Sequence, residues 1–244
     1  MKKPANVSNN DWKLLKQKYD DLEYVAIRLN DNYPVQYLIG HVDFHDVNIM
    51  VNKNALIPRF ETETLVEKTL GYIQDLKLEN ASVLEIGTGS GCISVALKSE
   101  VSSLEITAID ISGKALRLAK KNAKINKTPI TFIKRNMFKY KPVNKYDILV
   151  SNPPYIKETD IIDPQTAHEP QIAIYGGADG LKYYEQIFKI AKATLNKNFL
   201  IALEIDEDAG KILKHLANEF FPQSKIKIEK DLVGKNRYLF VMNK

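Results

Sequence analysis

Val83-Leu84-Glu85-Ile86-Gly87-Thr88-Gly89-Ser90-Gly91 is an apolar run that passes into a glycine-rich turn and then into a helical pattern beginning near Cys92. It reads as a buried strand feeding a loop. Glycines there let the backbone turn sharply and approach a ligand closely, with the N–H groups of the following helix facing it. The spacing is Gly-x-Gly-x-Gly, not the Gly-x-Gly-x-x-Gly of a nicotinamide-binding loop, and Glu85 stands two residues before the first glycine. A carboxylate in that place suits a cationic amino group better than a pyrophosphate.

Outward from this strand the pattern alternates between apolar runs and amphipathic stretches, which predicts a parallel α/β sheet. Strands are expected at 82–86, 105–109, 130–134, 146–151, 198–204, 225–229 and 238–242, and helices at 92–99, 113–125, 181–194 and 208–219. The last two strands are joined by a polar link containing Gly234-Lys235-Asn236. That link is too short for a helical crossover, so these strands should be antiparallel. The expected fold class is α/β: a seven-stranded, doubly wound, Rossmann-like sheet with an antiparallel last strand. No internal repeat or low-complexity segment interrupts it.

Before the sheet, Trp12, Leu15, Tyr19, Leu22, Ala26 and Leu29 recur at helical spacing, predicting one amphipathic face capped by Asn9 or Asn10. A lone helix cannot bury such a stripe, so it should pack on the rest of the chain or on a partner. Next come two short candidate strands, 41–44 and 48–51, around a polar turn at His45-Asp46. A further helix begins within Leu56-Ile57-Pro58-Arg59-Phe60-Glu61-Thr62-Glu63, with Thr62 or a neighbour as its cap. The chain thus divides into a short helical segment (1–32), a β-hairpin connector (33–60) and the sheet domain (61–244).

Polar residues gather at the predicted strand ends. Asp110 ends the second strand, where an acid can take both hydroxyls of a ribose. The third strand leads to Asn136-Met137-Phe138, where Asn136 can bond an adenine edge and Met137 can pack on its face. The fourth runs through Leu149-Val150-Ser151 into Asn152-Pro153-Pro154-Tyr155-Ile156. Prolines fix φ and cannot donate to a ladder, so this loop should hold its shape. Its carboxamide and proline-backed carbonyls can converge on one NH₂ group that must donate two hydrogen bonds. A positively charged nucleoside with an amino acid tail, bound across the first three strands, points to S-adenosylmethionine, whose methyl group would face Asn152.

Composition narrows the rest. With 244 residues, 44% hydrophobic and 27% charged, the chain is sized for one sizeable domain and a small appendage. The net charge of +5 arises from 35 basic and 30 acidic residues, which permits nucleic acid partners without requiring them. The single cysteine, Cys92, excludes an internal disulfide and a cysteine zinc cluster, and four histidines show no ligand spacing, so no metal is expected. No apolar run approaches membrane-spanning length, and the basic start lacks an apolar signal core. A cytoplasmic protein is expected.

The assembled residues resemble the protein-glutamine N5-methyltransferases that modify peptide chain release factors. The resemblance runs from Tyr33 to the C-terminus through Pro34-Val35-Gln36-Tyr37-Leu38-Ile39-Gly40, Leu56 to Glu63, Glu85 to Gly91, Ser151 to Ile156, Glu169-Pro170, Gly176-Gly177-Ala178-Asp179-Gly180-Leu181 and Lys230-Asp231-Leu232. It implies that Gly87, Thr88, Gly89, Ser90, Gly91, Asp110, Met137 and Asn152 contact S-adenosylmethionine. It also implies that Asn152, Pro153, Pro154 and Tyr155 hold the target glutamine, with Tyr155 stacked on the flat amide. Its partners would be release factors, with no stable nucleic acid partner and no membrane. The chain departs from the family pattern at Phe60 (usually proline), Glu85 and Asn136 (usually aspartate), at Ile205-Asp206-Glu207 (usually glycine-containing), and in the shorter segment before Tyr33.

Asn-Pro-Pro-Tyr alone also fits enzymes that methylate an exocyclic amine of a nucleic acid base, because the polar demands are the same. The blocks around Pro34 and Gly176 favour the protein substrate. A non-catalytic RNA- or ribosome-binding module is the alternative of another class, and the intact loop at Asn152 argues against it.

Overall fold

The computed structural model describes residues 3–5 and 7–243. Two helices open the chain, α1 (Asn9–Lys18) and α2 (Leu22–Asn30), where the stripe at 12–29 predicted one. The break falls on Tyr19-Asp20-Asp21. Tyr19 turns extended at φ −121° and ψ 128°, and the Asp21 side chain accepts the Tyr24 N–H to start the second helix. A short acidic side chain bonds its own backbone readily, which competes with helix continuation. The break resets the phase: Val25 is buried instead of Ala26. Ser8, not Asn9 or Asn10, caps α1 by accepting the Asp11 N–H at 3.0 Å.

Val35–Ile39 forms a one-turn helix, α3, that the sequence reading left as connector. Its Leu38 completes a small separate core with Val7, Trp12, Leu15, Val25 and Leu29. The hairpin follows as β1 (His41–Phe44) and β2 (Val47–Met50), one residue earlier in its second strand than expected. His45 and Asp46 both take positive φ, the two-residue turn whose twist matches paired strands. Then α4 (Phe60–Leu76) begins after Arg59 without a side-chain cap. Thr62 lies inside its first turn and bonds elsewhere, correcting the expected cap.

The remaining elements are β3 (Ser82–Ile86), α5 (Cys92–Glu100), β4 (Glu105–Asp110), α6 (Gly113–Ile125), β5 (Thr131–Lys134), β6 (Tyr146–Ser151), α7 (Lys182–Thr194), β7 (Leu195–Glu204), α8 (Gly210–Phe220), β8 (Lys225–Lys230) and β9 (Asn236–Asn243). Each expected strand is present within three residues of its predicted start. They form one sheet in the order β5-β4-β3-β6-β7-β9-β8, parallel except for β9, which runs antiparallel to both of its neighbours. The two faces are buried alternately. Val83, Ile106, Ile148 and Leu200 pack toward one side with α4 and α5, while Leu84, Ile109, Leu149 and Ile201 pack toward the other with α7 and α8. Each such side chain removed from water contributes about 1.5–3 kcal/mol, which is why these strands read as continuous apolar runs.

From β3 the chain winds outward to β4 and β5, then returns to place β6 on the other side of β3. The strand order therefore reverses between β3 and β6. In a doubly wound sheet the crevice beyond the carboxyl ends at that reversal is where ligands bind.

Candidate active site

A cavity of ≈ 340 Å³ opens at this reversal, lined by the loops after β3, β4 and β6 and roofed by Leu56–Arg59 and Pro170–Ala173. Its size suits a small-molecule ligand. Gly87, Gly89 and Gly91 all take positive φ, so the loop after β3 needs residues without a Cβ. Gly87 to Ser90 line the cavity. Gly91 does not: it is the N-cap just before α5, and a Cβ there would lie 3.0 Å from the Ala119 Cβ of α6, so its task is close helix packing.

Glu85 lies beneath the loop, buried at the end of β3. One carboxylate oxygen accepts the Thr88 hydroxyl at 2.6 Å and the Ser94 hydroxyl; the other is buried with no partner among the described residues. Burial pushes its pKa up to about 7, against the lowering effect of the Ser94 and Thr88 hydrogen bonds. A buried acceptor left open beside a cavity is a place for a donor cation. Asp110 closes the loop from β4, accepting the Gly89 N–H at 2.9 Å and the Ser112 N–H at 2.7 Å. Burial raises its pKa, and each oxygen keeps a lone pair for a ligand hydroxyl.

Beyond β5, the Asn136 side-chain oxygen accepts the Phe138 N–H at 2.9 Å and caps a single 3₁₀ turn; the residue lines the cavity, and its NH₂ has no hydrogen-bond partner among the described residues. Met137 is half-buried against the second core, and Phe138 tilts against Tyr183 of α7 with ring centroids 5.6 Å apart. Phe138 and Tyr183 line the same wall, which the sequence reading did not assign. Asn122 was also missed. Wholly buried on α6, it donates to Ser90 O at 2.9 Å and Met50 O at 3.0 Å, and it accepts the Met50 N–H at 2.9 Å, tying the hairpin to the glycine loop. An asparagine amid apolar helix positions was the available signal.

After β6, Asn152, Pro153 and Pro154 reach the cavity. The Asn152 NH₂ donates to the Thr62 hydroxyl at 3.0 Å, and Thr62 donates onward to Glu204 at 2.7 Å. The Pro153 carbonyl accepts no hydrogen bond among the described residues. Tyr155 turns inward instead: its hydroxyl donates to the second Glu204 oxygen at 3.2 Å, its ring packs on the second core, and it does not line the cavity. The loop is backed by Gly176 and Gly180, where an added Cβ would stand 2.7 Å from Pro154 O and 2.4 Å from Tyr155 O. The geometry thus joins an open carboxylate, a glycine loop, an acid for hydroxyls and a polar pair at Asn152-Pro153 around one space.

Residues 63–171 match the profile of the methyltransferase small domain. A release factor glutamine methyltransferase of Flavobacterium psychrophilum is 36% identical over 99% of this chain and 86% of its own length. Its namesake in Enterococcus faecalis is 37% identical over 91% of this chain and 80% of its own. Among solved structures, a Pyrococcus furiosus methyltransferase superposes with a TM-score of 0.59 at 18% identity, covering 80% of this chain and 88% of that one. A 16S rRNA N2 methyltransferase of T. thermophilus, solved with AdoMet and guanosine, gives 0.58 at 14% identity, over 84% of this chain and 50% of that one. At these identities the two structures speak for the fold alone.

Proposed function

The chain belongs to the release factor glutamine methyltransferases, and from that premise we propose how its residues transfer a methyl group from S-adenosylmethionine to the side-chain amide nitrogen of a release factor glutamine. The single observation that carries the assignment of roles is the direction of Asn152. Because its NH₂ donates to Thr62 and no described residue donates to its oxygen, that oxygen is left as an acceptor on a residue that lines the cavity.

The cavity suits the cofactor. Glu85 offers the unpaired buried oxygen to the ammonium group, and Gly87 to Ser90 allow close approach of the tail. Asp110 takes the ribose hydroxyls, and Asn136 and Met137 take the edge and face of the base. When bound, the cofactor supplies a methyl group on a sulfonium, which departs as a neutral thioether.

An amide nitrogen is a weak nucleophile because its lone pair is delocalised into the carbonyl. Positioning therefore has to provide most of the acceleration, and orientation of reactants is worth up to about 7–11 kcal/mol in favourable cases. The Asn152 side-chain oxygen and the Pro153 carbonyl accept the two N–H bonds and turn the lone pair toward the methyl carbon. The nitrogen–carbon bond forms as the carbon–sulfur bond breaks, with its electron pair passing to sulfur. As the nitrogen gains positive charge, both hydrogen bonds strengthen, which favours the transition state over the ground state. The nitrogen then loses one proton to solvent. Pro154 shapes the rim, and Tyr155 anchors the loop from below through Glu204.

The reading includes a cytoplasmic location and no stable nucleic acid partner; among the described residues no helix is long and apolar enough to cross a membrane. Labelled S-adenosylmethionine offered in parallel with release factor, tRNA, rRNA and DNA tests it. Label is expected on a release factor glutamine, and label confined to nucleic acid would overturn it.

A further inference from the structure

Thr62 and Glu204 lie 142 residues apart, one in the first turn of α4 and the other at the end of β7, yet both are buried and hydrogen-bonded beneath Asn152. A threonine hydroxyl has a single proton. Facing an ionised carboxylate, which only accepts, Thr62 must donate to Glu204. Its oxygen is then left with lone pairs alone, so the group that approaches it at 3.0 Å has to be the Asn152 NH₂. The carboxamide oxygen consequently faces the cavity. Tyr155 donates to the other Glu204 oxygen, so both carboxylate oxygens are engaged, one from α4 and one from the loop after β6.

We propose that Thr62 and Glu204 are positioning residues for the methyl transfer: the Glu204 carboxylate sets the direction of the Thr62 hydroxyl, which sets the direction of the Asn152 carboxamide. The inference rests on the reading of Asn152 as the acceptor for the substrate amide. If Glu204 is protonated, its O–H can donate to Thr62 and free the threonine proton for the Asn152 oxygen. The carboxamide then turns its NH₂ to the cavity, where it opposes the N–H bonds of the glutamine. The relay is therefore competent only with Glu204 ionised.

The surroundings make this a balanced choice. Burial pushes the Glu204 pKa up to about 7; the Thr62 and Tyr155 hydrogen bonds and the charge of Arg237 on β9 act to lower it, and Glu61 on α4 acts to raise it. The Tyr184 hydroxyl of α7 donates to the Glu204 backbone carbonyl at 2.9 Å, and Tyr238, opposite Glu204 on β9, donates to Glu61 O at 2.9 Å. Cys92 lies within reach of the Glu204 charge, Asp206 acts together with Glu204 on the Tyr184 hydroxyl, and Asp231 faces Arg237 and Tyr238 on β9.

The test is single-turnover methylation of a release factor by the full-length protein at saturating cofactor, alongside calorimetric cofactor binding, across pH 6 to 9. Thr62→Val keeps shape and removes the hydroxyl. Its kcat should fall about 10–100-fold with KM and cofactor Kd within about threefold of the parent, and Thr62→Ser should restore it. The parent kcat should rise with pH through neutrality, and this rise should flatten in both Thr62→Val and Glu204→Gln. A kcat for Thr62→Val within about threefold of the parent, or an undiminished acid fall in both variants, overturns the relay. If circular dichroism shows Thr62→Val unfolded, the pH profile of Glu204→Gln decides alone. Asn152→Ala separates the two levels: full activity there defeats the role of Asn152 itself, whereas a crippled Asn152→Ala beside an intact Thr62→Val defeats only the relay.

Discussion

Arg59 and Glu169, 110 residues apart, form an ion pair in which the carboxylate is buried and the guanidinium keeps about a third of its surface. The second Glu169 oxygen accepts the Ile57 N–H at 2.8 Å. One carboxylate thus clasps the two segments that roof the cavity. Removing it strands a buried amide and an unpaired cation, so Glu169→Ala should cost about 2–3 kcal/mol in urea unfolding and weaken cofactor binding. Glu169→Gln retains an acceptor for Ile57 and should cost less. Equal unfolding midpoints for parent and alanine variant would show that the clasp contributes nothing.

Asn122 should prove nearly as costly to replace as a core leucine. Asn122→Ala leaves Met50 N–H and the carbonyls of Met50 and Ser90 without the buried partner they now share. A loss of about 2–4 kcal/mol is expected. Because Ser90 belongs to the glycine loop, cofactor Kd should rise as well. A destabilised variant with parental cofactor affinity would separate the loop from the hairpin.

Gly180→Ala and Gly177→Ala offer a matched pair. Both glycines take positive φ, but a Cβ at Gly180 meets the Tyr155 carbonyl at 2.4 Å, whereas at Gly177 it meets only the Lys182 side chain at 3.2 Å. Backbone strain of about 1–2 kcal/mol is common to both. Only Gly180→Ala also pushes on the loop that carries Asn152, so it should lose methyl transfer more than tenfold further than Gly177→Ala. Similar activities in the two variants would count against the glycine backing.

Stability should fall as pH rises through neutrality in the cofactor-free protein. Glu85 and Glu204 both have folded pKa values raised by burial to about 7 from 4.5. The folded state therefore binds more protons than the unfolded state between those values, and the stability this confers, complete below pH 4.5, is lost as pH climbs through 7. Glu204→Gln cannot ionise, so at pH 8 its Tm should exceed the parent's by about 2–6 °C, with little difference at pH 5. Scanning calorimetry at both pH values decides it, and a parental Tm that is flat from pH 5 to 8 would contradict the burial of these charges.

The sheet was legible because parallel strands buried on both faces produce unbroken apolar runs such as Ile148-Leu149-Val150, and because polar residues placed after them, Asp110 and Asn152, fall at strand ends by construction. Local competition was harder to see. The helix break at Asp20-Asp21 depends on a side chain preferring its own backbone, and nothing in the apolar spacing reports it. Contacts between distant segments were invisible for a different reason. Thr62 read as a cap because a hydroxyl early in a helix usually bonds locally, whereas here its partner Glu204 comes from the end of β7, 142 residues further along the chain. Tyr155 read as a stacking ring because nothing in the sequence placed a buried acceptor behind it.

Asn152→Ala bears most directly on the proposed chemistry. The prolines that follow keep the loop rigid, so alanine removes one acceptor and leaves the backbone path, including the Pro153 carbonyl, in place. The Thr62 hydroxyl loses its incoming NH₂ but keeps its bond to Glu204, so the buried network loses one member without stranding a charge. Since the missing hydrogen bond is one that strengthens as the nitrogen gains charge, the loss should fall on kcat, by roughly 10²–10³. Cofactor affinity should change little, because Glu85, the glycine loop and Asp110 remain. Single-turnover methylation of a release factor, with cofactor binding measured directly and the fold checked by circular dichroism, resolves these contributions. A kcat within about threefold of the parent would remove Asn152 from the orientation of the glutamine nitrogen, and a large loss of cofactor affinity with kcat preserved would move it to the cofactor side of the cavity.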